Sequence, residues 1–244
     1  MLMKAIALLL ASIILLSSVP TLAQDGLDEE YTLESDHYDE STVNESIISY
    51  RILMVISPQD YSEPEFDIPR SYFEDQGFEV LVASRGVNTA TGDKGSEAEV
   101  DLNVSDADAS EYVAVVFIGG MGVDDLRLYD DEDYLDLARG AGEEDKIVGG
   151  ICLSSKILAN AGLYQGKNAT VCGSERFHDP IDYIQERGAV YVAQPVVRDG
   201  KTISGRGPPA SQSFAEAIVE AIREEENGAE AIRAPTAERA AAPA

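Results

Sequence analysis

Lys146-Ile147-Val148-Gly149-Gly150-Ile151-Cys152-Leu153-Ser154-Ser155-Lys156-Ile157-Leu158 is the stretch that decides the fold. Lys146–Ile151 is apolar and short, as a buried strand is, and Ser154–Ala161, closed by Gly162, has the spacing of a helix. The strand stops at Cys152 and the helix follows directly. Such a junction is a sharp strand-to-helix turn that lifts one side chain above the edge of a sheet, as a hydrolase nucleophile elbow does.

The same alternation continues on both sides. Arg51–Ser57, Phe78–Ser84 and Tyr112–Ile118 are further apolar runs that read as strands. Phe66–Gln76 and Asp133–Ala141 carry apolar residues at helical spacing. Ala189–Ala193 opens a late strand, and Ser211–Arg223 is a closing helix with Phe214, Ile218 and Ile222 on one face. Apolar strands alternating with amphipathic helices imply an α/β fold: a three-layer sandwich whose mostly parallel central sheet is covered on both faces. Ligands of such sheets bind beyond the carboxyl ends of the strands. Chemistry is therefore expected after Ile56, Ile118 and Ile151.

The flanks differ from this unit, which spans about 49–223. Residues 1–23 hold Lys4, an apolar run from Ala5 to Val19, and Thr21-Leu22-Ala23 as a small-residue cleavage site. That is the pattern of a secretory signal peptide, and the run is shorter than the roughly 20 residues a bilayer span needs. Export, with no membrane insertion after cleavage, is expected. Residues 24–48 are acidic without Lys or Arg, and read as a disordered spacer. Residues 224–244, rich in Ala and Glu, read as a disordered tail.

The whole chain of 244 residues sets 18 Lys and Arg against 45 Asp and Glu, a formal net charge of −27. That charge repels phosphate backbones, so nucleic acid is not an expected partner. No Cys/His cluster has zinc spacing, and no glycine loop sits where a phosphate cradle needs it. No metal or other cofactor is expected. Asn44, Asn103 and Asn168 match the short N-glycosylation pattern, which matters only where the host glycosylates exported proteins.

Three junctions supply candidate site residues. At the elbow, Cys152 meets a helix N-terminus, whose free N–H groups and dipole favour a thiolate. Position alone leaves both a nucleophile and an ordinary buried cysteine open. Glu65, in Ser62-Glu63-Pro64-Glu65-Phe66-Asp67-Ile68-Pro69, stands at a helix start on the same sheet edge. On its own it reads first as a helix-start carboxylate, since helix starts favour acids for stability alone, and second as an acid directed at Cys152. Phe117-Ile118-Gly119-Gly120-Met121-Gly122 brings glycines after the middle strand. The backbone N–H groups of Gly120 and Leu153 could form an oxyanion hole, or the glycines could serve only a tight turn.

Taken together, these junctions resemble the ThiJ/PfpI family of the class I glutamine amidotransferase-like fold. The resemblance runs from Arg51 to Ile222. Its markers are Glu65-Phe66-Asp67-Ile68-Pro69, Ile118-Gly119-Gly120, Gly150-Ile151-Cys152, Ala159-Asn160-Ala161-Gly162-Leu163 and Ser204-Gly205-Arg206-Gly207-Pro208. It implies Cys152 as nucleophile, Glu65 as the acid bonded to its sulfur, and Gly120 and Leu153 as backbone oxyanion donors. It also implies a homodimer or higher oligomer.

The chain departs from the family at its histidine. Peptidase-type members carry His directly after the nucleophile, where this chain has Leu153. The deglycase branch carries it about twenty residues downstream, which lands here on Cys172. His37 lies in the acidic spacer, and His178 follows the right strand but several residues late. Cys172 and His178 are therefore accessory candidates. If Cys172 takes the histidine's place, a Cys152–Cys172 disulfide, which oxidising conditions outside the cell would let persist, and two reduced thiols remain equally open. Two functions follow. One is a cysteine-dependent hydrolase or lyase acting on small carbonyl, acyl or peptide substrates. The other is a non-enzymatic redox or stress protein using Cys152.

Overall fold

A computed structural model describes residues 50–173 and 179–233. The expected signal peptide, the whole acidic spacer, Asn44 and His178 lie outside the described residues. Twelve strands and six α-helices follow in chain order: β1 (Arg51–Val55), β2 (Gln59–Tyr61), α1 (Glu63–Asp75), β3 (Glu79–Ser84), β4 (Thr89–Gly92), β5 (Glu97–Glu99), β6 (Leu102–Asn103), β7 (Ala114–Phe117), α2 (Gly122–Asp125), α3 (Glu132–Glu143), β8 (Ile147–Ile151), α4 (Ser155–Asn160), β9 (Asn168–Ala169), α5 (Asp179–Glu186), β10 (Val190–Tyr191), β11 (Val196–Asp199), β12 (Thr202–Gly205) and α6 (Ser211–Arg233).

Seven strands form the central sheet in the order β11-β12-β8-β7-β1-β3-β6, and β11 alone runs antiparallel to its neighbour. Side chains of a strand alternate between faces, so each central strand feeds two cores. Ile52, Met54 and Val116 join Phe66 and Phe73 of α1 and Phe214, Ile218 and Ile222 of α6 on one face. Leu53, Val55, Val115 and Phe117 join Tyr134 and Leu135 of α3, Leu158 of α4 and Ile184 of α5 on the other. The expected three-layer sandwich is what forms.

β8 is the strand on which both layers close. A Cβ on Gly149 would stand 2.9 Å from Ile218 Cδ1 and from Phe214 Cζ, and one on Gly150 would stand 2.6 Å from Leu158 Cδ1. The glycine pair lets α6 and α4 approach β8 from opposite sides, and so brings the start of α4 directly under Cys152.

Three features differ from the sequence reading. α6 runs to Arg233, ten residues past Arg223, where a disordered tail was expected to begin. Ala and Glu are strong helix formers, and Glu224 and Glu225 pair with Arg198 and Lys201 of the β11–β12 hairpin, each at 2.7 Å. A second, three-stranded sheet, β2-β4-β5, also forms, from residues the alternation had left unassigned. α1 begins at Glu63 rather than Phe66, because Pro64 suits the first helical positions and needs no N–H partner there. Among the described residues, no helix is long and apolar enough to cross a membrane, and no cluster of His, Cys, Asp and Glu is arranged to hold a metal ion.

Candidate active site

Cys152 has φ +59°, a left-handed conformation that costs a non-glycine residue about 1–2 kcal/mol. Ile151 before it is extended, and a single 3-10 turn, Cys152–Ser154, leads into α4. Ser154 locks the bend: its hydroxyl accepts the Ile151 N–H at 2.9 Å and donates to the Phe117 carbonyl at 2.6 Å, tying the elbow to the end of β7. The strain is thus held by neighbouring strands, a pattern found where a side chain must be presented in one direction.

Glu65 lies in the first turn of α1 with 0% of its surface exposed. One oxygen, Oε2, accepts the Gly119 N–H at 3.1 Å. The other, Oε1, has no nitrogen or oxygen partner in the described structure. It faces Cys152: a Cβ placed on Gly207 would stand 3.8 Å from Oε1 and 4.0 Å from Cys152 Sγ. Burial, followed by the neighbouring Cys152 sulfur, pushes the Glu65 carboxyl up to about 10. At neutral pH Glu65 is therefore protonated, and its proton is directed at the sulfur.

Glycines make this juxtaposition possible. A Cβ on Gly119 would stand 2.6 Å from Glu65 Oε2, 2.6 Å from the Ile151 carbonyl and 2.7 Å from Cys152 Cβ. Gly120 has φ +120°, and a Cβ there would be 2.3 Å from the Asp60 carbonyl of β2. The second sheet thus presses the glycine loop toward the elbow, helped by the Ser62 N–H, which donates to the Gly119 carbonyl at 2.9 Å. The Gly120 N–H donates to no protein acceptor among the described residues. The Leu153 N–H points at the Cys152 sulfur.

Cys172 follows β9 and reaches the same point. Its sulfur neighbours that of Cys152, and both cysteines are free and partly exposed. This overturns the expectation of an activated thiolate. The Cys172 sulfur and burial raise the Cys152 thiol well above its ordinary value, against smaller lowering by the Leu153 N–H and Glu65. One turn of helix N-terminus does not outweigh a second sulfur and a desolvated site.

The structure therefore gathers Cys152, Glu65, Leu153, Gly120 and Cys172. It adds two residues that sequence reasoning had quoted in motifs without giving a role, Gly119 as the donor that holds Glu65 and Gly207 as the wall facing both reactive groups. The paired glycines after β7 and the glycine between Arg206 and Pro208 were their signals. A cavity of about 450 Å³ opens beside the sulfurs, lined by Cys172, Gly173, Pro195, Arg206, Pro208 and Pro209. A larger hollow of about 520 Å³ lies against α3, lined by Asp106, Asp133 and Asp136, away from both cysteines.

A strained cysteine elbow beside a buried acid, on the carboxyl edge of a parallel sheet, defines a class of cysteine-centred α/β proteins. Within that class the chain belongs to the DJ-1/PfpI family, whose model matches residues 50–221. It is 32% identical over 178 residues to an uncharacterised protein of Methanocaldococcus jannaschii, covering 73% of this chain and 85% of that one. It is 28% identical over 171 residues to a deglycase of Thermococcus kodakarensis, covering 70% of this chain and 99% of that one. The crystal structure of a ThiJ/PfpI domain protein from Brachyspira murdochii superposes with a TM-score of 0.67 at 31% identity, covering 72% of this chain and 97% of that one.

Proposed function

We propose that this protein is an exported cysteine-dependent hydrolase of the deglycase type, acting on small carbonyl or acyl adducts. The observation that carries the reading is the fully buried Glu65, one carboxyl oxygen of which has no nitrogen or oxygen partner, beside a left-handed Cys152. The likeness to a Thermococcus kodakarensis deglycase supports the substrate class.

For an acyl adduct, whose carbonyl carbon bears the amine, the Cys152 thiolate attacks that carbon, and the carbonyl π electrons move onto oxygen. The Gly120 and Leu153 N–H groups receive that oxyanion. Glu65 acts as an acid: its proton stabilises the thiolate beforehand and passes to the leaving amine as the carbon–nitrogen bond breaks. Water then releases the acyl group from sulfur and returns the proton to Glu65. Because Cys172 holds the Cys152 thiol high, the thiolate fraction, and with it the rate, climbs with pH through the neutral range.

The test is release of free amino acid from N-acyl amino acids and from methylglyoxal adducts by wild type, Cys152→Ala and Glu65→Gln in reducing buffer. Loss of activity in Cys152→Ala, and a fall of about 10²-fold or more in Glu65→Gln, is expected for the loss of a general acid. Equal rates in wild type and Cys152→Ala would overturn the reading. Export rests on residues 1–23 and is tested by sequencing the mature N-terminus, which should begin at Gln24. The homo-oligomer implied by the family is tested by light scattering on the eluted protein.

A further inference from the structure

Cys172 carries out no chemical step in the hydrolytic scheme, yet its sulfur neighbours that of Cys152. Both thiols pack against the same apolar cluster beneath the elbow. The segment bearing Cys172 is anchored on both sides. The Thr170 N–H donates to Ser204 Oγ at 2.9 Å, Ser155 Oγ donates to the Thr170 carbonyl at 3.1 Å, and Arg206 donates to the Gly173 carbonyl at 3.2 Å. Ser155 belongs to the first turn of the helix that follows Cys152, so the chain around Cys172 is tied to the elbow itself. The second sulfur is held beside the first.

The two sulfurs also differ in their place relative to the cavity. Cys152 is partly exposed and packs beside Gly119 and Gly207, outside the cavity's lining. Cys172 lines the wall of the cavity of about 450 Å³, whose other walls are mostly proline and glycine, with Arg206 exposed among them. A small thiol entering that cavity would meet Cys172 first.

We propose that Cys152 and Cys172 form a reversible dithiol–disulfide couple that is oxidised by hydroperoxides, with Cys152 as the attacking sulfur and Cys172 as the resolving one. The Cys152 thiolate attacks the terminal peroxide oxygen and the O–O bond breaks. Cys152 becomes a sulfenic acid, and the alkoxide or hydroxide leaves and takes up a proton. The Cys172 sulfur then attacks the sulfenic sulfur and water departs, leaving the disulfide. The peroxide is the oxidant, reduced by two electrons. Return needs two equivalents of a small thiol: the first attacks Cys172 from the cavity and expels Cys152, and the second frees Cys172. The couple shares Cys152 with the proposed hydrolase but stands on Cys172, which hydrolysis does not use. Cys172 as resolver would also keep Cys152 from advancing to the irreversible sulfinic acid.

The experiment treats the reduced full chain with one equivalent of hydrogen peroxide, alkylates it, and maps peptides without reduction. The expected result is joint loss of both alkylatable thiols and a linked pair of tryptic peptides, Ile147–Lys156 with Asn168–Arg176. Dithiothreitol should restore both thiols. In Cys172→Ser the same treatment should carry Cys152 to sulfinic acid, and Cys172→Ala serves if the serine variant loses its circular-dichroism spectrum. A wild-type protein whose Cys152 reaches sulfinic acid while Cys172 alkylates freely overturns the couple. Adduct hydrolysis measured on the same samples separates the two proposals, since a linked peptide with no hydrolysis removes only the hydrolase.

Discussion

Glu65 carries more of this protein's pH behaviour than its position in a helix's first turn suggests. The folded chain keeps the Glu65 proton at pH 7, whereas the unfolded chain has lost it, so folding takes up a proton. Stability therefore falls as pH rises from the ordinary carboxyl range near 4.5 towards about 10, by on the order of 1 kcal/mol per pH unit. Glu65→Gln removes that titration while keeping a neutral side chain that can still accept the Gly119 N–H. Urea unfolding between pH 5 and 8.5 should show a falling midpoint in wild type and a flatter one in the variant. A variant slope as steep as that of wild type would place the titration elsewhere. Cys152 allows a second test at this scale. At φ +59° a glycine is unstrained and an alanine is not, so Cys152→Gly should be more stable than Cys152→Ala by about 1 kcal/mol.

At the scale of elements, the site is a meeting of the ends of β1, β7 and β8 with the second sheet behind the glycine loop. Gly119 is where they converge. Two of the three atoms crowding its missing Cβ belong to backbone or to the Cβ of the elbow, so neither swings away as the end of a long side chain would. Gly119→Ala should therefore destabilise the fold by about 1–3 kcal/mol, the usual cost of overpacking, and should displace Glu65 from its N–H donor. Chemical denaturation reads the first effect, and loss of the pH-dependent stability described above reads the second. Gly140 is a control, since a Cβ there has open space apart from Ala109 at 3.9 Å. Gly140→Ala in α3 should be neutral or mildly stabilising.

Across the whole molecule the net charge of −27 makes folding a compression of like charges. The ion pairs present are mostly exposed, among them Arg51–Glu79 at 3.0 Å and Lys201–Asp145 at 2.8 Å, and such pairs each contribute about 0–1 kcal/mol. Among the described residues they leave most acids unpaired. Salt should therefore raise stability: the thermal midpoint is expected to climb from low ionic strength to about 1 M NaCl, where the Debye length shrinks to roughly 3 Å. A falling midpoint would mean that the ion pairs outweigh the repulsion. The same charge makes exposed cations such as Arg206 uncommon features of the surface.

What was legible in the sequence is what local pattern can encode. Apolar runs alternating with helical spacing in 51–57, 78–84 and 112–118 required a covered parallel sheet, because such strands have no polar face to give to water. The turn from Ile151 through Cys152 into Ser154 marked the elbow, and the motif around Glu65 marked its acid. Strand order, the β2-β4-β5 sheet and the length of α6 were not legible, since they depend on pairings between residues far apart in the chain. The protonation of the site belongs to the same class. A helix start next to Cys152 argues for a thiolate, and only the packed fold places Cys172 against the sulfur, closes water out around Glu65, and reverses that expectation. Local sequence determines which groups arrive at the sheet edge, because propensity and periodicity act over a few residues. Tertiary structure alone decides their charge, because desolvation and neighbouring sulfurs act through space.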